Sequence, residues 1–167
     1  MNNSITLHIV RFVVLALIQV IVLNNINFLG YINPYIYILF IILYPIKNNR
    51  SLFIFLSFLL GLTVDMFCDS GGIHAAASVT IAFIRPAALK FTFGAMYDHQ
   101  TIKFATAEFV SNLTYISILT IIHHLVMFSL EVFNTSEIIL IFKKALFSSI
   151  FTILLCILTI IIFGKRK

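Results

Sequence analysis

Residues 51–86 read SLFIFLSFLLGLTVDMFCDSGGIHAAASVTIAFIRP. In this stretch an apolar run is followed by a short polar turn with two glycines and then by a second, alanine-rich run. Glycine beside serine and aspartate marks a turn, and long apolar runs are typical of helices that cross a membrane. The pattern predicts two antiparallel membrane-spanning helices. The first runs from Ser51 to Phe67, and the second from Ile73 to Arg85-Pro86 or a turn beyond.

The composition extends this prediction to the whole chain. Of the 167 residues, 61% are hydrophobic and 10% are charged, and the mean hydropathy is +1.10. Such a chain cannot cover a water-facing surface, which excludes an ordinary soluble enzyme and a disordered tail. At about 20 residues a span, there is room for about six spans and for no soluble domain. We therefore expect an all-α, polytopic membrane helical bundle with about six transmembrane helices, folded as one integral membrane domain over residues 1–167.

Four further spans are predicted from the remaining apolar runs. They run from Ile5 to Leu23, from Pro34 to about Pro45, from Phe104 to Phe128 and from Ala145 to Phe163. The second of these, at about 12 residues, is short for a full crossing. Either it is a half-helix, or residues 28–33 contribute at the membrane interface. Residues 87–103 form the longest predicted connection.

The basic residues predict the orientation of the spans. With the chain starting in the cytoplasm, that side holds Lys47, Arg50, Arg85, Lys90, Lys103, Lys165, Arg166 and Lys167, against Lys143 and Lys144 on the other side. Cytoplasmic loops carry an excess of Lys and Arg, so both termini should be cytoplasmic, with the loops near Asn25, Asp69 and Asn134 outside. The net charge of +5 is explained by this topology and does not indicate a nucleic-acid partner.

Three ionisable residues fall inside predicted spans near the cytoplasmic side, where an unpaired charge is costly. These are Arg11 in the first span, Arg85 at the end of the fourth and Glu108 near the start of the fifth. Glu108 could pair with Arg85 or Arg11, or each side chain could reach the interface alone. The sequence leaves both interpretations open.

Asp65, one turn after Gly61, is the acidic residue placed to shape the turn. Its carboxylate could accept hydrogen bonds from the turn around Gly72 or from the start of the next helix, where His74 lies. We favour this structural role over a proton or metal site, because the spacing of Asp65, Asp69 and His74 matches no specific metal motif. Adjacent helical residues point about 100° apart, so His123 and His124 are not expected to form one ligand pair. We expect them at the membrane interface or in helix–helix hydrogen bonds.

Small residues at the start of the fourth span offer a close-packing surface. Ala75 and Ala76, with Ala77 and Ser78, would let another helix approach closely. That helix could belong to a partner protein or could be the third span of the same chain. The sequence contains no convincing catalytic, cofactor-binding or metal-binding constellation, which argues against an enzyme.

Two stretches resemble the rod shape-determining protein MreD family, in the form found in Bacteroidetes. Residues 24–45 read NNINFLGYINPYIYILFIILYP, and residues 61–86 read GLTVDMFCDSGGIHAAASVTIAFIRP. The similar features are the Asn-Asn turn, Gly-Tyr-Ile-Asn-Pro-Tyr, the Gly-x-x-x-Asp near a helix end, Gly-Gly-Ile-His-Ala and the final Arg-Pro. Residues 100–167 match in hydropathy alone.

The resemblance implies a non-enzymatic component of the rod elongation complex in the bacterial inner membrane. Family members associate with MreC, a bitopic protein, and are linked through it to MreB, RodA and a penicillin-binding transpeptidase in peptidoglycan synthesis and cell-shape control. The family is also similar in fold to the substrate-binding components of energy-coupling-factor transporters. The alternative is therefore a small-molecule-binding membrane subunit of such a transporter, which should show a polar, partly aromatic cavity.

Overall fold

The computed structural model describes residues 2–26, 28, 32–47, 49–100, 102–133 and 137–164. Within these residues the chain is helical, apart from one isolated β-bridge between Phe28 and Ile32. The helices, numbered in chain order, are α1 (Asn2–Ile21), α2 (Ile38–Leu43), α3 (Arg50–Cys68), α4 (Ile73–Phe93), α5 (Ala95–Asp98), α6 (Phe109–Val132) and α7 (Ile138–Gly164), and a 3-10 turn, Leu23–Asn25, follows α1. The predicted all-α class is confirmed.

Five of these helices, α1, α3, α4, α6 and α7, are long and apolar enough to cross a membrane. Many of their large apolar side chains are exposed, among them Phe91, Phe147 and Ile162. A protein in water would bury such side chains, whereas lipid covers them at no cost. The helices therefore indicate a membrane-embedded protein.

The predicted hairpin of α3 and α4 is present, and specific residues cap α3 and form the turn to α4. The Asn49 side chain accepts hydrogen bonds from the backbone N–H groups of Ser51 and Leu52, which caps α3. The chain then leaves α3 through Asp69 and reaches α4 through Gly72, whose φ of +96° suits glycine. The turn between them marks what we call the hairpin end of the bundle. The opposite end, which holds Arg50 and Arg85, is the arginine end.

The chain crosses the bundle between α1 and α3, because these two helices run parallel. At the hairpin end, the Asn24 side chain donates to the Cys68 sulfur at 2.6 Å. At the arginine end, the Tyr44 ring lies 5.5 Å from that of His8 and 4.7 Å from that of Phe53. Residues 33–44, which we call the crossing segment, therefore pass from one end to the other.

The crossing segment is the centre of the core. Its helix, α2, has six residues, and the side chains of Tyr37, Ile38, Ile41 and Ile42 are fully buried. The segment lies among α1, α4 and α6. The second span is thus short, as predicted, and its helix is shorter still. Since five helices have spanning length, the count of six transmembrane helices stays a prediction.

The structure corrects several predicted boundaries. Helix α4 continues past Pro86 to Phe93, because burial of Leu89 and Phe93 outweighs the one backbone hydrogen bond that proline cannot make. Helix α6 starts at Phe109 and not at Phe104. Helix α7 starts at Ile138, well before the predicted Ala145, and so includes Lys143 and Lys144, which precede the predicted span.

The described basic residues separate between the two ends as predicted. Lys47, Arg50, Lys90 and Lys103 lie in segments at the arginine end, and Lys144 contacts Glu131 at the hairpin end. Which face of a membrane each end meets stays a prediction. Asn134, the C-terminal residues 165–167 and residues 29–31 of the Gly-Tyr-Ile-Asn-Pro-Tyr motif lie outside the described residues.

Candidate functional site

The hairpin end is organised by Asp65, a buried carboxylate at the last turn of α3. Its Oδ1 accepts the backbone N–H of His74 at 3.0 Å, and its Oδ2 accepts that of Ala75 at 2.8 Å. The Ser70 hydroxyl donates to Oδ1 as well. The first N–H groups of a helix lack partners within the helix and carry partial positive charge. Asp65 therefore caps α4 from the neighbouring helix, and the hydrogen bonds predicted for it are confirmed.

Gly61 sets the distance between α3 and α4. A Cβ atom at this position would lie 2.5 Å from both the Ala75 Cα and the His74 carbonyl oxygen, closer than real atoms approach. Ala75 is accordingly buried against α3, so its interpretation as a partner-binding residue is wrong. Ala76, one position on and about 100° around the helix, is exposed.

The Tyr37 side chain of the crossing segment links α4 and α6. Its hydroxyl lies 3.1 Å from Nδ1 of His74 and 2.7 Å from Nε2 of His123. A phenol has one proton, so it donates to one of these rings and accepts from the other. The arrangement fixes complementary tautomers on His74 and His123 and locks the crossing segment between α4 and α6.

His124 forms a second polar contact, with α7. A carbonyl can only accept, so the His124 Nδ1–H donates to the Thr120 carbonyl at 2.7 Å, which leaves Nε2 as an acceptor. Nε2 lies 3.3 Å from the Thr152 hydroxyl, whose single proton it shares with the Ser148 carbonyl at 2.8 Å. The Thr152 oxygen also accepts the backbone N–H of Tyr35 at 2.9 Å. The helix–helix hydrogen bonding predicted for His123 and His124 is replaced, for His123, by bonding to the crossing segment.

The buried hydrogen bonds of Tyr35, Tyr37 and Thr152 were not predicted from the sequence. The tyrosines resembled residues of a membrane interface, and a threonine inside an apolar run carries no special signal. A usable signal was present, since two tyrosines in a short apolar segment bounded by Pro34 and Pro45 need buried hydrogen-bond partners.

A cavity of about 640 Å³ opens at the hairpin end above these residues. It is polar and partly aromatic, and its lining includes Asn24, Asn33, Tyr35, Cys68, His74 and Glu131. Its volume lies in the range of small-molecule sites, which is about 300–1,000 Å³. The arrangement could bind a small molecule with hydrogen-bonding groups.

The arginine end is organised by Arg85, which is 4% exposed. Its Nε donates to the Tyr115 hydroxyl at 2.9 Å, and one terminal nitrogen donates to the carbonyls of Ile42, at 3.2 Å, and Tyr44. The guanidinium also lies over the Phe53 ring, 5.0 Å from its centroid. Arg85 thus holds the C-terminus of α2, where free carbonyls favour a cation.

The predicted alternatives for Arg85 are both wrong, since it neither pairs with Glu108 nor reaches the interface alone. Glu108 is exposed at the first turn of α6, where it accepts a weak bond from Ser111 at 3.4 Å. Arg11 is partly exposed on α1. The ion pair found among the described residues is Lys144 with Glu131, at 2.8 Å. Backbone carbonyls take the place of the expected carboxylate.

Within the described part of the chain, no three His, Cys, Asp or Glu side chains come together as metal ligands. No protein-family model, curated protein or solved structure matches this chain.

Proposed function

We propose that this chain is a non-enzymatic inner-membrane component of the rod elongation complex. In this proposal it resembles MreD, associates with an MreC-like bitopic membrane protein, and through it acts with MreB, RodA and a penicillin-binding transpeptidase on cell shape and peptidoglycan synthesis. It presents helix faces to partners and carries out no chemistry of its own.

One observation carries the proposal. The two stretches that resemble the MreD family, residues 24–45 and 61–86, pack against each other in the core through Tyr37 and His74. Asp65, Gly61 and Arg85, which belong to the motifs, are each committed to internal packing or hydrogen bonds. The internal contacts of these motif residues favour a protein that acts through its helix surfaces and not through chemistry of its own.

The partner surface we propose is the exposed face of α4. Ala76 and Phe83, seven residues apart, lie on the same side of the helix, and both are exposed. A small residue at Ala76 allows close backbone approach by another helix, and packing drives helix association in lipid. Ala75 points into the chain's own core and serves as an internal comparison.

The test enlarges the two alanines. Ala76→Phe should leave the protein inserted and abundant but abolish co-purification with the MreC-like protein and leave cells rounded. Ala75→Phe should lower abundance and thermal stability first, because its side chain would enter the contact with Gly61. Val110→Phe, at an exposed position of α6, is the matched control and should change nothing. Normal shape and complex formation with Ala76→Phe would falsify this surface.

A second candidate is a small-molecule-binding membrane subunit of an energy-coupling-factor-like transporter. The cavity at the hairpin end favours it by volume and by its polar, partly aromatic lining. Mass spectrometry of small molecules released from the purified protein tests this candidate. A stoichiometric compound that disappears in Tyr35→Ala, while complex formation with the MreC-like protein is intact, would support it over the first.

A further inference from the structure

A second, smaller pocket lies at the arginine end. It has a volume of about 100 Å³ and is lined by Pro45, Arg50, Phe53, Arg85 and Tyr97, among others. Since one water occupies about 30 Å³ of liquid, the space suits a compact group of a few heavy atoms. Two of its lining side chains carry guanidinium groups.

Neither guanidinium is neutralised by the described part of the chain. Arg85 contacts two carbonyls, a phenol and an aromatic ring, all of them neutral, and no carboxylate lies within ion-pair distance. Arg50 contacts the Phe83 carbonyl at 3.4 Å and lies 5.1 Å from the Phe83 ring centroid, which are neutral contacts too. A buried charge without a counter-charge is costly. The buried Arg85 therefore favours an anion in the pocket, and the exposed Arg50, which also lines it, adds a second positive charge.

We propose that this pocket binds a phosphate group, either in a phospholipid headgroup or as a free phosphate ion. A guanidinium presents a planar fork of donors that matches phosphate oxygens. Arg85 is already held in place by its backbone and ring contacts, so little side-chain entropy is lost on binding. The pocket lies at the end opposite the larger cavity, and Phe83 beside Arg50 is shared with the proposed partner surface.

The surroundings of the pocket fit a lipid. Phe83 and Phe91 of α4 are 62% and 78% exposed, which is where acyl chains would lie beside a headgroup bound at Arg50. The end that holds the pocket is also rich in exposed basic residues, including Lys90 and Lys103. Basic residues near the membrane surface attract anionic headgroups.

Thermal unfolding of the detergent-solubilised protein, followed during titration, separates the two sources. Phosphatidylglycerol should raise the unfolding midpoint, and diacylglycerol with the same acyl chains, which lacks the phosphate, should not. If millimolar inorganic phosphate gives the same protection and competes with the lipid, the ligand is a free phosphate. If it does not, the ligand is the headgroup.

Variants of the exposed Arg50 test the site without disturbing the core. Arg50→Gln should weaken phosphatidylglycerol binding about tenfold in native mass spectrometry, and Arg50→Lys, which keeps the charge, should weaken it less. Lys103→Gln makes the same charge change at the same end outside the pocket and should leave binding unchanged. The proposal is overturned if diacylglycerol protects as well as phosphatidylglycerol, or if Arg50→Gln and Lys103→Gln behave alike.

Discussion

At both ends of the bundle a charged side chain pairs with the free backbone groups of a helix terminus, and the two side chains have opposite charges. At the hairpin end a carboxylate, Asp65, accepts the free N–H groups that begin α4. At the arginine end a guanidinium, Arg85, donates to the free carbonyls that end α2. Each charge has the sign that the helix terminus favours. The ends differ in access, since Ser70 and His74, which contact Asp65, line a cavity of about 640 Å³, whereas Arg85 lines one of about 100 Å³.

Because the two ends differ in access to water, loss of the capping side chain should not cost the same stability at each end. Water that enters the larger cavity can take over a lost hydrogen bond at the hairpin end. The smaller pocket beside Arg85, of about 100 Å³, admits fewer water molecules. Loss of Arg85 should therefore cost more than loss of Asp65.

The largest effect is expected from Arg85→Leu. This change leaves the Tyr44 carbonyl without the donor Arg85, at about 1–3 kcal/mol, leaves the Ile42 carbonyl with the Tyr115 hydroxyl alone, and removes the packing on Phe53. We expect a loss of several kcal/mol of stability, measured as a large fall in the unfolding midpoint in detergent. Arg11→Leu, at a partly exposed position of α1, is the control and should have a small effect. Equal stability of the two variants would contradict the role of Arg85.

A smaller effect is expected from Asp65→Leu, about 1–3 kcal/mol, because two backbone N–H groups lose their acceptor but can recruit water. Asp65→Asn keeps one carbonyl oxygen as acceptor and should retain much of the stability and of the cell-shape function. Side-by-side unfolding curves and complementation of rounded cells measure both. If Asn proves as harmful as Leu, the negative charge itself is required and the capping explanation is wrong.

The smallest effect is expected from Tyr37→Phe, which removes one hydroxyl between the ends and keeps the ring. His74 and His123 each lose one hydrogen bond, for a cost of about 1 kcal/mol or somewhat more. Differential scanning measurements on the purified protein should show a modest fall in midpoint with the complex intact. A collapse as severe as that of Arg85→Leu would mean that Tyr37, and not the two end caps, dominates the stability of the core.

The hairpin end could be predicted from sequence because its contacts are local. Asp65 and the amides it binds are nine and ten residues apart, so the turn between two apolar runs is enough to bring them together. The choice between Ala75 and Ala76 was not predictable in the same way. It depends on the rotation of α4, which the close contact at Gly61 sets.

The arginine end escaped prediction because its partners carry no signature in the sequence. The carbonyls that hold Arg85 lie 43 and 41 residues away and belong to the backbone, which every residue shares. Glu108 looked like the natural partner by charge, yet the start of α6 leaves it exposed. The path of the crossing segment was not predictable either, because six helical residues are too few to show a helical period in the sequence.

The crossing segment also constrains how the protein is made. Its backbone is not helical before Ile38, and polar backbone groups cannot be left bare in lipid. The backbone N–H of Tyr35 donates to the Thr152 hydroxyl, 117 residues later in the chain, and the Tyr37 hydroxyl forms a hydrogen bond with His123. During synthesis these partners emerge last. The segment therefore gains these hydrogen bonds only after α6 and α7 have been made, so the centre of the core depends on the C-terminal half of the chain.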